Sequence, residues 1–204
     1  MILDLIRHGA TASTIGHRFN DHEHEPLADE AIAVLGRLAF DSAAYDRIDV
    51  SPLRRAAQTA EGLGLSGFAF DSRLAERGLG VFRGLTEQQC RARFPADIEA
   101  FNRFEPGYCI PDGESRGQHL ARVLSWLEEA SVSGARQALA VTHGGVIDFV
   151  RRLGRSEPVH GPPFDGGGLL ALSRFEIAWP QVRLLSFAQP LPGAWRPSRP
   201  CTRA

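Results

Sequence analysis

Three short stretches place ionisable side chains where chemistry could be done. Leu5-Ile6-Arg7-His8-Gly9-Ala10-Thr11 ends an apolar run abruptly on an arginine, a histidine and a glycine. Ser51-Pro52-Leu53-Arg54-Arg55-Ala56 follows a second apolar run, and His143-Gly144-Gly145 follows another. Two imidazoles and at least two guanidiniums suit a phosphoryl group, whose negative oxygens match the planar fork of arginine. Neutral imidazole is a competent nucleophile near pH 7, because its unperturbed pKa is about 6.5. A leaving alkoxide needs a proton, so a carboxylic acid should face the nucleophile. Leu74-Ala75-Glu76-Arg77-Gly78 offers Glu76. Glycines beside each histidine let the backbone come close to a ligand.

These groups meet only if the elements before them are parallel neighbours. Residues 2–6, 47–50, 67–71 and 138–142 read as short buried strands. Residues 169–174 and 182–187 read as two more, paired around Trp179 and Pro180. Helical spacing appears over 28–43 (Ile32, Leu35, Leu38, Ala39), 116–132 (Leu120, Val123, Leu124, Leu127) and 145–153, which Gly154 ends. A further helix over 53–63 has Ser51 as a candidate N-cap and Pro52 at its first position. Alternating strands and helices predict an α/β fold with a mostly parallel sheet covered on both faces. In such sheets ligands bind beyond the carboxyl ends of the strands, where helix N-termini aim N–H groups at an anion. Residues 84–115 break the alternation and read as a lid-like helical insertion over one end of the sheet. The expected organisation is one domain over 1–188 and a Pro/Arg-rich tail over 189–204.

Composition narrows the classes. The 204 residues are 43% hydrophobic, enough for one well-packed domain. A formal charge of −1 supplies no basic field for nucleic acid. No apolar run approaches the roughly 20 residues that span a bilayer, and no signal peptide is read at Met1–Gly9. Cys90, Cys109 and Cys201 are far apart and odd in number, so neither a disulfide framework nor a zinc site is suggested. The expected setting is the cytoplasm.

The segments LIRHGAT, SPLRRAAQTA, LAERGLGVFRGLT, PDGES and VTHGG, in that order, resemble the histidine phosphatase superfamily, also called phosphoglycerate mutase-like. The likeness spans about residues 2–175. It implies a three-layer α/β/α sandwich with a helical insertion above the site. By that resemblance His8 is the nucleophile that becomes phosphorylated. Arg7 and Arg55 bind the phosphoryl oxygens, His143 stabilises its developing charge, and Glu76 is the general acid and then the base. Thr14, Arg18, Arg83 and Gly144 join Arg7, His8, Arg55 and His143 as expected substrate contacts. The family uses no metal and no organic cofactor for this chemistry. Two departures stand out. Where the family often has an acidic residue after RHG and an asparagine further on, this chain has Ala10 and Thr14; Phe82-Arg83-Gly84 puts a cation where an acidic residue is common.

The run His17-Arg18-Phe19-Asn20-Asp21-His22-Glu23-His24-Glu25 has metal-ligand residue types, but lacks a fixed His-to-His spacing and reads as a solvated loop. Gly166-Gly167-Gly168 lacks the lysine and hydroxyl of a phosphate loop. The expected partner is a small phosphorylated metabolite, with α-ribazole 5′-phosphate as the candidate. A mutase that returns the phosphoryl group to a second hydroxyl, and a non-catalytic phospholigand-binding module, are the competing readings. Oligomeric state, a homodimer among the options, is left open.

Overall fold

The computed structural model describes residues 1–20, 24–38, 40–162 and 169–191. Ala39, Asp21, His22, Glu23, Gly166–Gly168 and the tail from Pro192 lie outside them, and so do the expectations placed there. Six strands form one sheet: β1 (Ile2–Arg7), β2 (Arg47–Val50), β3 (Ala69–Phe70), β4 (Gln137–Thr142), β5 (Ala171–Ala178) and β6 (Gln181–Pro190), in the order β3-β2-β4-β1-β5-β6. The first four in that order run parallel, and β5 and β6 are antiparallel to their neighbours. The pair β5–β6 turns at Trp179-Pro180, as expected.

Strand residues alternate between two apolar cores, because successive side chains point to opposite faces of a sheet. Leu3, Leu5, Ala138 and Ala140 pack with α6 (Arg116–Val132) and α7 (Gly144–Gly154) through Val123, Trp126, Leu127 and Phe149. Ile6, Leu139 and Val141 face the other way, against Ala31 and Leu35 of α2 (Asp29–Leu35) and Ala56 and Ala60 of α3 (Arg54–Gly62). The result is the three-layer sandwich. One charge interrupts β1: Asp4, fully buried, takes two hydrogen bonds from Arg174 (2.8 and 2.7 Å) and one from Tyr45 Oη (2.7 Å). A buried carboxylate persists only when paired in this way.

A third, smaller core belongs to residues 84–115. There α4 (Glu87–Arg93) and α5 (Pro95–Asn102) enclose Cys90, Ile98 and Ile110 with Phe82. Phe19 packs into this group, its ring centroid 5.7 Å from Phe82 and 5.6 Å from Phe101. The insertion is thereby tied to the loop after a one-turn helix, α1 (Ala12–Ile15).

Three local expectations are corrected. The helix expected over 28–43 ends at Leu35, and Ile32, expected on its apolar face, is exposed. Gly36 caps it, and the chain turns off to deliver Tyr45 to Asp4, a tertiary bond that overrides the helical pattern. The strand expected over 67–71 is only Ala69–Phe70, an exposed edge. Ser51 is not the N-cap of α3: the cap is Leu53, which makes no side-chain cap bond, and the Ser51 hydroxyl pairs with His143 Nε2 at 2.7 Å while accepting the Leu53 N–H at 3.3 Å.

Candidate active site

The three chemically marked turns meet because β2, β4 and β1 are adjacent and parallel. His8 continues β1, its N–H bonded to Thr142 O at 3.0 Å; Ser51 continues β2, bonded to Val141 O at 3.0 Å. His143 follows Thr142 at the end of β4. The His8 and His143 rings lie 5.0 Å apart, tilted by 54°, and both are fully buried. His8 Nδ1 sits 2.7 Å from Gly9 O. A carbonyl can only accept, so Nδ1 carries the proton and Nε2 keeps its lone pair. Nε2 has no hydrogen-bond partner among the described residues. His143 is held at 2.7 Å, Nε2 to Ser51 Oγ.

Charge around the pair is positive. Burial, then the guanidiniums of Arg55 and Arg7, push the His8 pKa well below that of free imidazole. Burial and Arg55 do the same to His143. Both rings are therefore neutral in the resting protein. The pKa values of Arg7 and Arg55 are themselves lowered by burial, and Glu76 opposes the shift in each. Glu25 also faces Arg55 electrostatically. That corrects the solvated-loop reading at Glu25, which is buried and accepts the Ser13 N–H at 2.8 Å, while His17, Arg18 and His24 are exposed. Its Arg-pairing role is invisible in a run rich in exposed-type residues.

Glu76 lies on a loop held by α6. Arg122 Nη1 donates to Arg73 O and Ala75 O, both at 2.7 Å, and Nη2 donates to Glu76 O at 3.2 Å. The same guanidinium is fixed by Glu114 at 2.8 Å. Thr142 Oγ1 adds a 2.7 Å bond to Leu74 O. The Glu76 carboxylate accepts from Arg77 N (Oε1, 3.0 Å) and Gly145 N (Oε2, 3.1 Å). The two glycines after His143 have separate uses. A β-carbon at Gly144 would crowd the Arg7 guanidinium (3.3 Å to Cζ), and one at Gly145 would overlap Glu76 Oε1.

Two cavities meet at Glu76, Arg77, Asn20 and Leu79. The first, of about 330 Å³, adds Arg55 and Arg83. The second, of about 390 Å³, adds Arg7, Thr14, Arg18 and Gly144, walled by Phe19, Phe101, Phe104 and Phe149. Arg55 and Arg83 line the first cavity, Arg7, Thr14, Arg18 and Gly144 the second, and Glu76 both; His8 and His143 are fully buried and line neither. Arg18 is engaged: Nη1 donates to Gly84 O and to Gln89 Oε1, each at 3.1 Å. Arg83 Nε donates to Gly80 O at 3.0 Å. The Thr14 hydroxyl donates to Thr11 O at 2.9 Å within a capping box, so its proton is already committed.

Three further cavity residues were not singled out by sequence: Arg77, Arg116 and His119. Arg77 is 9% exposed and lies over the Phe101 ring at 4.6 Å. Burial pulls its pKa down to about 10, which still leaves it cationic at neutral pH. The signal for His119 was its place beside the apolar stripe of α6, where a polar residue has to face something.

On the carboxyl edge of a parallel sheet, this arrangement has the groups that phosphoryl transfer would require. Residues 3–188 match the Histidine phosphatase superfamily (branch 1), and the chain belongs to that family. It is a phosphatase-type enzyme. A 2,3-bisphosphoglycerate-dependent phosphoglycerate mutase of Azorhizobium caulinodans is 29% identical over 159 residues, 72% of this chain and 77% of that one. The mycobacterial glucosyl-3-phosphoglycerate phosphatase superposes with a TM-score of 0.74 at 27% identity, covering 92% of this chain and 98% of that one. The α-ribazole phosphatase of Shigella flexneri has the same fold, with a TM-score of 0.76, 21% identity and coverage of 93% and 96%. No described helix is long and apolar enough to cross a membrane.

Proposed function

We propose that this enzyme hydrolyses a small phosphate monoester through a phosphohistidine on His8. The observation that carries the reading is His8 itself: Nδ1–H is tied to Gly9 O, and Nε2 stands bare with two guanidiniums close enough to lower its pKa. In the first step the Nε2 lone pair forms the N–P bond as the ester P–O bond breaks. Arg7, Arg55 and His143 hold the phosphoryl oxygens, where charge builds in the transition state. Glu76 in its acid form protonates the departing alkoxide. In the second step Glu76, now a carboxylate, takes a proton from water as its oxygen attacks phosphorus, and imidazole leaves. Arg18, Arg83, Thr14 and Gly144 shape the surroundings.

The arginines supply the charge for which other phosphatases recruit a metal, so the reading is metal-independent. A dianionic monoester is matched better than a diester, which carries one charge less and a second substituent. α-Ribazole 5′-phosphate stays the candidate substrate, favoured by the aromatic wall of the larger cavity. The mutase reading has its own support in the Azorhizobium relative. Rapid quench with ³²P-labelled substrate separates these. An acid-labile, base-stable label on His8, lost to water, is the expected result. A label on serine or aspartate rejects the mechanism, and transfer to a phosphoglycerate faster than hydrolysis selects the mutase.

A further inference from the structure

Glu76 stands on a loop, and a proton-transfer group has to be held within hydrogen-bond reach of its target. Arg122 of α6 supplies that hold. A guanidinium has five N–H donors in a fixed fork, and in Arg122 every one is engaged within the protein. Nη1 donates to Arg73 O and Ala75 O, and Nη2 to Glu76 O. Nε and Nη2 donate to the two carboxylate oxygens of Glu114, each at 2.8 Å. With Thr142 Oγ1 on Leu74 O, four successive carbonyls, from residue 73 to residue 76, are bonded from outside the loop.

Glu114 holds the far side of the same loop. Its backbone N–H donates to Gly78 O at 2.9 Å, and its Oε2 accepts the Gly78 N–H at 3.4 Å. Gly113 permits this approach, since a β-carbon there would stand 2.7 Å from Gly78 O. Arg122 lines neither cavity, so it has no route to the substrate except through the loop it binds. Its place on α6 is fixed in turn by the capping box of Ser115 and Gln118 at the start of that helix.

We propose that Arg122 is the positioning residue for the acid–base step, with Glu114 as the counter-charge that orients its fork. Arg122 fixes the backbone of Glu76, and the Gly145 N–H fixes its carboxylate at 3.1 Å, so both ends of the side chain are set before substrate arrives. Lysine is no equivalent, because three donors on one nitrogen cannot span five acceptors shared between a loop and a carboxylate. This deepens the phosphomonoesterase reading and rests on it, Glu76 as the acid included.

The test reads leaving-group dependence in kcat/KM, with benzyl phosphate, whose alkoxide needs a proton, set against 4-nitrophenyl phosphate, whose phenolate leaves unaided. Arg122→Met keeps most of the side-chain volume and removes all five donors. Misplacing a catalytic group by about 1 Å can cost about 10²-fold, so benzyl phosphate should lose about that much and 4-nitrophenyl phosphate less than about fivefold. Arg122→Lys should recover only part of the loss. Added to Glu76→Gln, Arg122→Met should cost benzyl phosphate less than about threefold more, because both changes remove one function. If Arg122→Met does not fold, Arg122→Lys and Glu114→Gln are read for the same selectivity. Equal losses on the two substrates, or full additivity with Glu76→Gln, assign Arg122 to stability alone and overturn the proposal. Full activity of Arg122→Lys on benzyl phosphate overturns it as well. A wild type that turns over neither substrate removes the phosphomonoesterase reading itself; one that takes 4-nitrophenyl phosphate but not benzyl phosphate removes acid catalysis, and the clamp's role with it.

Discussion

Glu76 and Gly145 are fitted to each other: the Gly145 N–H donates to Glu76 Oε2 at 3.1 Å, and Oε1 occupies the space a Gly145 β-carbon would need. Gly→Ala within a helix ordinarily gains about 0.5–1 kcal/mol. Here the added β-carbon would overlap the end of the Glu76 side chain, which must move aside. Gly145→Ala should therefore displace Glu76 and cut kcat on alkyl phosphates by roughly 10²-fold or more. Combined with Glu76→Gln it should add little, because both changes remove one function. Additive losses in the double variant would mean that Gly145 serves something else.

Glu76→Gln tests the acid role by leaving group. Alkyl phosphates need protonation of a poor leaving group, and the expected loss there is roughly 10²–10⁴-fold. With 4-nitrophenyl phosphate, whose phenolate leaves unaided, the loss should be much smaller. Comparable losses on both substrates would assign Glu76 to structure.

Acid should unfold this protein through its buried histidines. The pKa values of His8, His143 and His119 are all lowered in the fold, foremost by burial. In the unfolded chain each titrates near 6.5. Below that value the unfolded state binds more protons, so stability falls as pH falls, by roughly 1.4 kcal/mol per histidine per pH unit. Above about pH 7 this contribution is complete. Urea midpoints measured from pH 7.5 to 5 should drop steeply, and His119→Phe should flatten the slope. A midpoint independent of pH over that range would contradict neutral burial.

Chelation tests the source of electrophilic charge. With Arg7 and Arg55 in that role, prolonged dialysis against EDTA should leave kcat/KM unchanged. Arg55→Met should lower it by several hundred-fold or more, the scale of losing one group that binds charge developing in the transition state, roughly 10²–10³. Loss on chelation with recovery on added zinc or nickel would return attention to residues 17–25.

That the candidate site residues come together was legible in the chain itself, and for a physical reason. Arg7 ends β1 with His8-Gly9 next, His143-Gly144-Gly145 follows β4, and Arg55 lies in the first turn of the helix after β2; parallel strands carry these ends to one edge. Local order plus topology therefore places them together. The same locality made α6 readable to the residue, since Ser115 and Gln118 form its capping box and its apolar stripe is continuous. What failed were features settled by partners distant in sequence. α2 ends at Leu35, with Tyr45 beyond it bonded to Asp4, and Ser51 pairs with His143 without being the N-cap of its helix. Glu25 is buried beside Arg55 in a stretch that reads as solvated. Arg77, Arg116, His119 and the Arg122 clamp on the Glu76 loop belong to the same class. Each is an ordinary helix or loop residue until long-range packing removes its water, and desolvation is a property of the assembled fold, with no local pattern to announce it.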